Sequence, residues 1–419
     1  MCKIKKTYQV SKALEKGQLI LDKKFGEGSV ESKEEASYLL SLILDISLME
    51  VRLKKNDLSI SRKEYRKFLS FCQRRVAGQP AQYLTGKAFF MRDEFLVGPG
   101  VLIPRQDTQH LVLAGYEYFL ETRAKKRYEK HKENHAGQQD FVGNFEKDKG
   151  NYEKSKDNYE NDKSFSFLEF CTGSACVSIS LIKEIVEYNS KFSAYPSTFS
   201  TSSTPDNPNT PSAPNTFDTP STPSIPNASS ILNASRPSNT FNTPSTPSTP
   251  SDFSSPNISF RAKKDPDMVW GLATDISRRA LQYARENIKK LGVQDFLVLK
   301  KHDFLKDSYK KLSSDKYDLI LMNPPYIRRE ELDGLQVEVR KFEPRGALDG
   351  GEDGLVFYQR ISQACRELLK EGGLLAMEIG YDQAKQVQEI LSKEEIWEDL
   401  KLIEDFEKRP RVITAVYRP

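Results

Sequence analysis

Apolar and polar positions follow two different periods along this chain. Up to about residue 80 the period is helical. Leu39, Leu40, Ile43 and Leu44 supply one apolar face, and Tyr65, Phe68, Leu69 and Cys72 supply another. The second face follows Ser61-Arg62-Lys63-Glu64, which has the form of a capping box. Phe89, Phe90, Phe95 and Val97 then suit a short hairpin, and Val101-Leu102-Ile103 suits a short strand closed by Pro104. Farther on, short apolar runs alternate with amphipathic stretches. The runs are Phe165–Phe170, Met268–Asp275, Phe296–Leu299, Leu319–Met322 and Gly373–Gly380. The helix after the second run carries Ala280, Leu281, Ala284, Ile288 and Leu291 on one face. Leu400–Phe406 and Val412–Tyr417 complete the chain as an antiparallel hairpin. Unbroken apolar strands alternating with helices predict an α/β fold. Its sheet is doubly wound, seven-stranded and mostly parallel, with a C-terminal antiparallel strand, and a small helical N-terminal domain precedes it.

Two stretches break the pattern. Residues 123–164 are rich in Lys, Glu, Asp, Asn and Tyr, and residues 192–262 in Ser, Thr, Pro and Asn. Neither composition buries enough apolar area to offset its ordering entropy, so both are expected to be disordered insertions. The domains expected are therefore a helical unit over 1–80, a hairpin and connector over 81–122, and a catalytic unit over 165–191 and 263–419. The second insertion falls between a helix and the next strand. That is the end of an open sheet opposite its ligand crevice, so the crevice stays uncovered.

Charge changes this picture little. The chain has 419 residues, 63 basic and 59 acidic, for a net charge of +4, which neither demands nor excludes a nucleic-acid partner. Five cysteines, an odd number without a CxxC pair, argue for a reducing compartment and against a zinc site. The four histidines read as surface or packing residues, and no metal is expected. No stretch approaches a membrane span and the start lacks a signal-peptide core, so the expected location is cytoplasmic.

The chemistry gathers at the carboxyl ends of the strands. Asn323-Pro324-Pro325-Tyr326 follows the run Leu319–Met322, where prolines end the ladder in a rigid turn. It offers one amide, backbone carbonyls and one aromatic ring. Carbonyl oxygens can accept both hydrogens of a planar NH2 while the ring covers its face. With no base and no metal ligand in the turn, the suggested chemistry is transfer of a group to a weakly nucleophilic nitrogen. Cys171-Thr172-Gly173-Ser174-Ala175 is a small-residue turn after the first strand, where backbone can approach a ligand closely. Asp275 closes the second strand, where a carboxylate can accept from both ribose hydroxyls. Asp303 and Phe304 follow the third strand. Arg105 and Asp107 stand beside a helix start at Thr108, for which an N-cap with a surface ion pair is the simplest reading. The loop from Glu338 to Gly354 is long and polar, suited to covering a site.

The chain resembles the HemK/PrmC family, peptide chain release factor N5-glutamine methyltransferases within the class I S-adenosylmethionine-dependent methyltransferases. The resemblance spans Arg75–Thr108, Leu168–Leu181 and Met268 to the C-terminus. It rests on Gly78-Gln79-Pro80-x-x-Tyr83-Leu84-x-Gly86, Ile103-Pro104-Arg105-x-Asp107-Thr108, Asn323-Pro324-Pro325-Tyr326-Ile327 and Glu343-Pro344-Arg345-x-Ala347-Leu348-Asp349-Gly350-Gly351. It implies methyl transfer to the glutamine of the Gly-Gly-Gln motif in class I release factors. Asn323 and Pro324 would accept the two amide hydrogens and Tyr326 would pack on the amide, with Pro325 and Arg105 also at the substrate. Asp275 would hold the cofactor ribose, Asp303 and Phe304 its adenine, and Glu169 with Cys171–Ala175 its amino-acid end. Four positions depart from the family: Cys171 and Ala175 where it has glycine, Glu169 where it usually has aspartate, and Gln109 where it has glutamate. Cys and Ala preserve close approach unless a positive φ is required.

Two other readings remain open. An Asn-Pro-Pro-Tyr turn suits an exocyclic amine equally, as in an N6-adenine DNA or N2-guanine RNA methyltransferase acting on a flipped base. Against it, no basic stretch interleaved with aromatics is present, so direct nucleic-acid binding is not expected. A catalytically silent binding protein is the other.

Overall fold

The computed structural model describes residues 7–136, 164–193, 269–312 and 315–419. Most of both expected insertions, 137–163 and 194–268, lies outside the described residues.

The N-terminal domain is largely helical, as the period predicts. Its helices are α1 (Val10–Phe25), α2 (Val30–Leu44), α3 (Leu48–Leu53) and α4 (Arg62–Val76), followed by the short α5 (Ala81–Thr85). The capping box at α4 is present: Ser61 accepts from the Glu64 N–H, and Glu64 accepts from the Ser61 N–H. Leu39 and Leu40 of α2 and Phe68 and Cys72 of α4 form the domain core. The helical period did not announce a small antiparallel pair, β1 (Thr7–Gln9) with β2 (Ser59–Ser61), which ties the two ends of the unit together.

The hairpin forms as expected, from β3 (Lys87–Phe90) and β4 (Asp93–Leu96). The strand expected at Val101–Ile103 does not. Its backbone groups are taken by side chains instead of a ladder: Tyr83 Oη donates to the Val101 carbonyl at 2.5 Å, and the Ile103 N–H donates to Glu343 Oε2 at 3.2 Å. Thr108 is no N-cap either. A 3-10 turn over Gln106–Thr108 precedes α6 (Gln109–Ala136), which runs past the boundary drawn at 122.

The large sheet has seven strands: β5 (Phe165–Phe170), β6 (Val269–Asp275), β7 (Leu297–Lys301), β8 (Tyr317–Met322), β9 (Leu369–Glu378), β10 (Trp397–Glu404) and β11 (Pro410–Tyr417). Their order is β10-β11-β9-β8-β5-β6-β7. Only β11 runs against the rest, pairing antiparallel with β9 and β10. Helices α7 (Cys176–Ser193), α8 (Arg278–Lys290), α9 (Val337–Phe342), α10 (Tyr358–Leu368) and α11 (Ala384–Ser392) complete the unit. Successive residues of β8 go to opposite cores. Leu319 and Leu321 pack with Phe167, Ile179 and Ala376, whereas Ile320 and Met322 pack with Phe170, Leu375 and Tyr358. Burial on both faces explains the unbroken apolar run. Each such side chain contributes about 1.5–3 kcal/mol by leaving water.

The chain order reverses between β5 and β8, which lie side by side. This is a topological switch point, where an open α/β sheet forms a crevice at the carboxyl ends of its strands. The register puts Phe170 beside Met322 and Met322 beside Met377. The next residues, Cys171 and Asn323, therefore start neighbouring connections on one edge, beside Glu378, the last residue of β9.

Candidate active site

The turn after β5 is wound tightly. Cys171, Gly173 and Ala175 all have positive φ, at 57°, 56° and 62°. The Ala175 N–H closes the turn on the Thr172 carbonyl at 2.8 Å, and the Thr172 N–H donates to the Thr274 carbonyl at 2.9 Å. Thr172, Ser174 and Ala175 are buried, and Asn287 Nδ2 donates to the Ser174 carbonyl. Close approach of the turn thus does require positive φ, at both positions where this chain lacks the family's glycine. Each costs about 1–2 kcal/mol for a residue with a Cβ.

Glu169 lies beneath this turn, fully buried. It accepts from Thr172 Oγ1 at 2.8 Å and from both the N–H and the hydroxyl of Ser178. Burial pushes its carboxyl up to about 7, while those donors pull it back. It braces the turn from inside. Asp275 reaches the same turn from β6. Its Oδ2 accepts from the Gly173 N–H at 2.9 Å and its Oδ1 from the Ser277 N–H at 2.8 Å. Burial raises its carboxyl above the usual range, against the pull of these backbone donors.

At the end of β7, Asp303 Oδ1 accepts from the Leu305 N–H at 3.0 Å. Phe304 is buried, with its ring 4.8 Å from Phe170 and 5.8 Å from Phe357. It is therefore a member of the core on that face as well as a neighbour of the crevice edge.

The Asn323-Pro324-Pro325-Tyr326 turn closes β8, with both prolines buried. Asn323 Nδ2 donates to Thr108 Oγ1 at 3.2 Å. Tyr326 Oη donates to Glu378 Oε1 at 3.3 Å. Burial raises the Tyr326 phenol well above its usual value, and the charge of Glu378 raises it further. The turn is held from behind. Gln383 Nε2 donates to the Tyr326 carbonyl at 2.8 Å, and the Ile327 N–H donates to the Leu348 carbonyl at 3.0 Å. A Cβ at Gly350 would fall 2.8 Å from Tyr326 Cα and 2.9 Å from the Pro325 carbonyl oxygen, so only glycine lets the loop press this close. The stretch from Leu348 to Gly354, expected to cover the site, is instead the backing of the turn.

Arg105 is only partly free for a substrate. Its Nη2 donates to Glu343 Oε1 at 2.5 Å, and Glu343 is buried while Arg105 remains 39% exposed. The pair joins the Arg105 segment to the loop before Leu348, while Asp107 pairs with Arg411. The local surface ion pair expected of Arg105 and Asp107 is thus replaced by two long-range pairs, and the exposed part of the guanidinium faces a cleft. That cleft, about 330 Å³, is also lined by Arg75, Gln82, Gln336 and Glu338 and lies between the helical domain and the sheet domain.

Glu169, Cys171–Ala175 and Asp275 form one hydrogen-bonded cluster, and Asn323, Pro324, Pro325 and Tyr326 adjoin it across the β5/β8 boundary. Thr108 and Glu378 reach the turn without having been singled out. The only trace of them in the chain is that Thr108 ends a motif and Glu378 ends an apolar strand.

Comparison with known proteins finds matches in both the helical and the sheet domains. Residues 13–86 match the PrmC N-terminal domain, and residues 258–340 match the methyltransferase small domain. Over these two stretches the chain is similar to PrmC-type proteins and to methyltransferases. The match reaches well into the helical domain, beyond the motifs that begin at Arg75. A release factor glutamine methyltransferase of Clostridium acetobutylicum is 39% identical over 145 residues, 35% of this chain and 50% of that protein. One from Clostridium botulinum is 42% identical over 141 residues, 34% of this chain and 49% of that protein. The chain thus spans about half the length of these curated relatives. A third, from Thermodesulfovibrio yellowstonii, is 24% identical over 85% of this chain and 82% of its own length. Among the described residues, no helix is long and apolar enough to cross a membrane.

Proposed function

We propose that this chain transfers a methyl group from S-adenosylmethionine to the side-chain amide nitrogen (N5) of the glutamine in the Gly-Gly-Gln motif of class I peptide chain release factors, in the cytoplasm. The observation that supports it best is the orientation of Asn323. Its NH2 end is engaged by Thr108, which leaves Oδ1 as the end available to a substrate. An acceptor there suits a substrate that arrives with N–H donors.

The residues present fit the cofactor. The tight turn Cys171–Ala175 and the acid Glu169 beneath it suit its amino-acid end. Asp275 uses one lone pair on each oxygen for backbone and keeps the others for ribose hydroxyls. Asp303 and the edge of Phe304 are left for the adenine. When bound, S-adenosylmethionine supplies an electrophilic methyl group on a sulfonium.

The difficulty of the reaction lies in the nucleophile, because an amide lone pair is delocalised, with a rotation barrier of about 18–20 kcal/mol. Asn323 Oδ1 and the Pro324 carbonyl accept the two amide hydrogens and hold the nitrogen in line. They also favour the positive charge that develops there, and Tyr326 packs on the amide and shares in that stabilisation. In-line positioning supplies up to about 7–11 kcal/mol in favourable cases, so no general base is required. The extra proton leaves to water after transfer.

A methyl-transfer assay tests the reading, with labelled cofactor offered a class I release factor and, separately, duplex DNA and ribosomal RNA. Label on the Gly-Gly-Gln glutamine, reduced about 10²–10³-fold in Asn323→Ala, is expected from loss of one charge-stabilising contact. Label on nucleic acid alone would overturn it.

A further inference from the structure

Two side chains outside the turn decide which end of the Asn323 amide is offered. Thr108 Oγ1 accepts from Asn323 Nδ2. A hydroxyl that accepts still has its own hydrogen to place. The Glu378 carboxyl stands beside it, and the Thr108 hydroxyl is one of the groups that favour ionisation of that carboxyl. Tyr326 Oη donates to the same side chain at 3.3 Å. Glu378 is only 1% exposed, and its Oε2 has no hydrogen-bond partner among the described residues. A buried carboxyl so thinly satisfied is costly for a strand end to keep.

Pairing with Arg411 does not explain Glu378. The Arg411 guanidinium instead reaches Asp405 at 3.1 Å and Asp107 at 3.2 Å. What Glu378 does touch is the clamp. Through the β8–β9 register it stands next to Asn323, and through Tyr326 Oη it touches the other end of the same turn.

Resting on the methyl-transfer reading above, we propose that Thr108 and Glu378 are positioning residues. The carboxylate of Glu378 takes the Thr108 hydroxyl hydrogen, so that the Thr108 oxygen accepts from Asn323 Nδ2 and Asn323 Oδ1 is turned toward the amide to be methylated. The direction of the chain of donors matters. A neutral acid or an amide at 378 can donate to the Thr108 oxygen. Thr108 then donates to Asn323 Oδ1, which turns the Asn323 NH2 toward the NH2 end of the substrate amide. Donor would face donor.

The test uses the full chain with Thr108→Val, Thr108→Ser and Glu378→Gln. It reads kcat and KM for the release factor, cofactor Kd by calorimetry, and the unfolding midpoint. Thr108→Val and Glu378→Gln should lower kcat about 10–100-fold with cofactor Kd unchanged within about 2-fold. Thr108→Ser, which keeps the hydroxyl, should stay within about 3-fold of the parent. Thr108→Val at the parent kcat would overturn the proposal. So would Thr108→Ser as impaired as Thr108→Val, since the methyl group and not the hydroxyl would then be at work. If the parent chain itself transfers nothing to a release factor, the methyl-transfer reading fails, and the orientation is still measurable. In chain labelled with [15N]asparagine, the Asn323 side-chain resonance, identified by its loss in Asn323→Ala, should move in Thr108→Val and not in Thr108→Ser. No movement in either would sink the positioning role by itself.

Discussion

The Gly173 N–H donates to Asp275 Oδ2 at 2.9 Å, although the two residues are 102 positions apart in the chain. The turn after the first strand and the acid closing the second are therefore one structural unit. Asp275 Oδ1 binds the Ser277 N–H at the same time, so a single carboxylate fixes the turn and the entry to α8. Whatever binds at this acid meets a group already oriented by two backbone donors.

Asp275→Asn should consequently weaken S-adenosylmethionine more than removal of one ribose contact would. An amide offers one acceptor oxygen, so it must release either the Gly173 N–H or the Ser277 N–H. The expected outcome is at least a 10-fold rise in cofactor Kd together with a stability loss of about 1–3 kcal/mol, the cost of leaving a buried donor unpaired. Calorimetry and denaturant unfolding measure the two separately. Weakened binding with full stability would mean that the turn does not depend on Asp275.

Ala175 has φ of 62° and is fully buried. Glycine normally lowers stability where it replaces alanine, yet here Ala175→Gly should raise it, by up to about 1 kcal/mol, because the left-handed backbone no longer opposes a Cβ. Ala175→Val should lower it and weaken cofactor binding. A lower unfolding midpoint for the glycine variant would show that the turn is not strained at this residue.

The sheet and its crevice were legible because they rest on local patterns. Leu319–Met322 reads as a buried strand from four letters, and Asn323–Tyr326 reads as its rigid end. Asp275 was legible for the same reason, as an acid at a strand terminus. What escaped depends on contacts between distant segments. Thr108 resembled a helix cap because the sequence places Asp107-Thr108 before an apolar helix, and nothing in that stretch shows that Asn323, 215 residues later, lies against its hydroxyl. Glu378 looked like the polar end of a strand, and only the β8–β9 register brings it beside the turn. The positive φ values of Cys171 and Ala175 were hidden because the residue type that would have announced them is missing there. Val101–Ile103 read as a strand since three apolar residues before a proline look alike whether they pair with a strand or with side chains.

Glu169 makes stability depend on pH in a direction unusual for a carboxylate. Burial pushes it up to about 7 in the folded chain, against an unfolded value of about 4.3. The folded state thus holds a proton that the unfolded state releases between these values. The contribution of this group is fully present below about pH 4.3 and falls as pH rises toward 7, by no more than about 4 kcal/mol in all. Glu169→Gln, which cannot ionise, should therefore gain on the parent chain as pH rises from 5 to 8. The measurement is the difference in unfolding free energy between the two at each pH. A difference independent of pH would mean that Glu169 does not titrate in this range.

Glu378 should instead leave its mark on the rate. Burial pushes it up to about 7, and the Thr108 hydroxyl, the Arg411 guanidinium and the Tyr326 hydroxyl hold it from rising further, while Asp107 acts the other way. Tyr358 also faces it, with its hydroxyl donating to the Glu378 carbonyl, and burial raises that phenol far out of the neutral range. The Cys176 thiol, raised to about 12, is likewise silent near neutrality. Glu378 is then the group of this set that changes charge near pH 7. Below that pH the protonated acid can donate to Thr108 and turn Asn323 the wrong way, and above it the carboxylate accepts and the clamp is set. Single-turnover methyl transfer under saturating cofactor should rise about 10-fold per pH unit below the transition and level off above it. Glu378→Gln should be slow and flat over the same range. A parent profile that is flat from pH 6 to 8, or a Glu378→Gln profile that keeps the same rise, would assign the limb to another group and remove the carboxylate from control of the clamp.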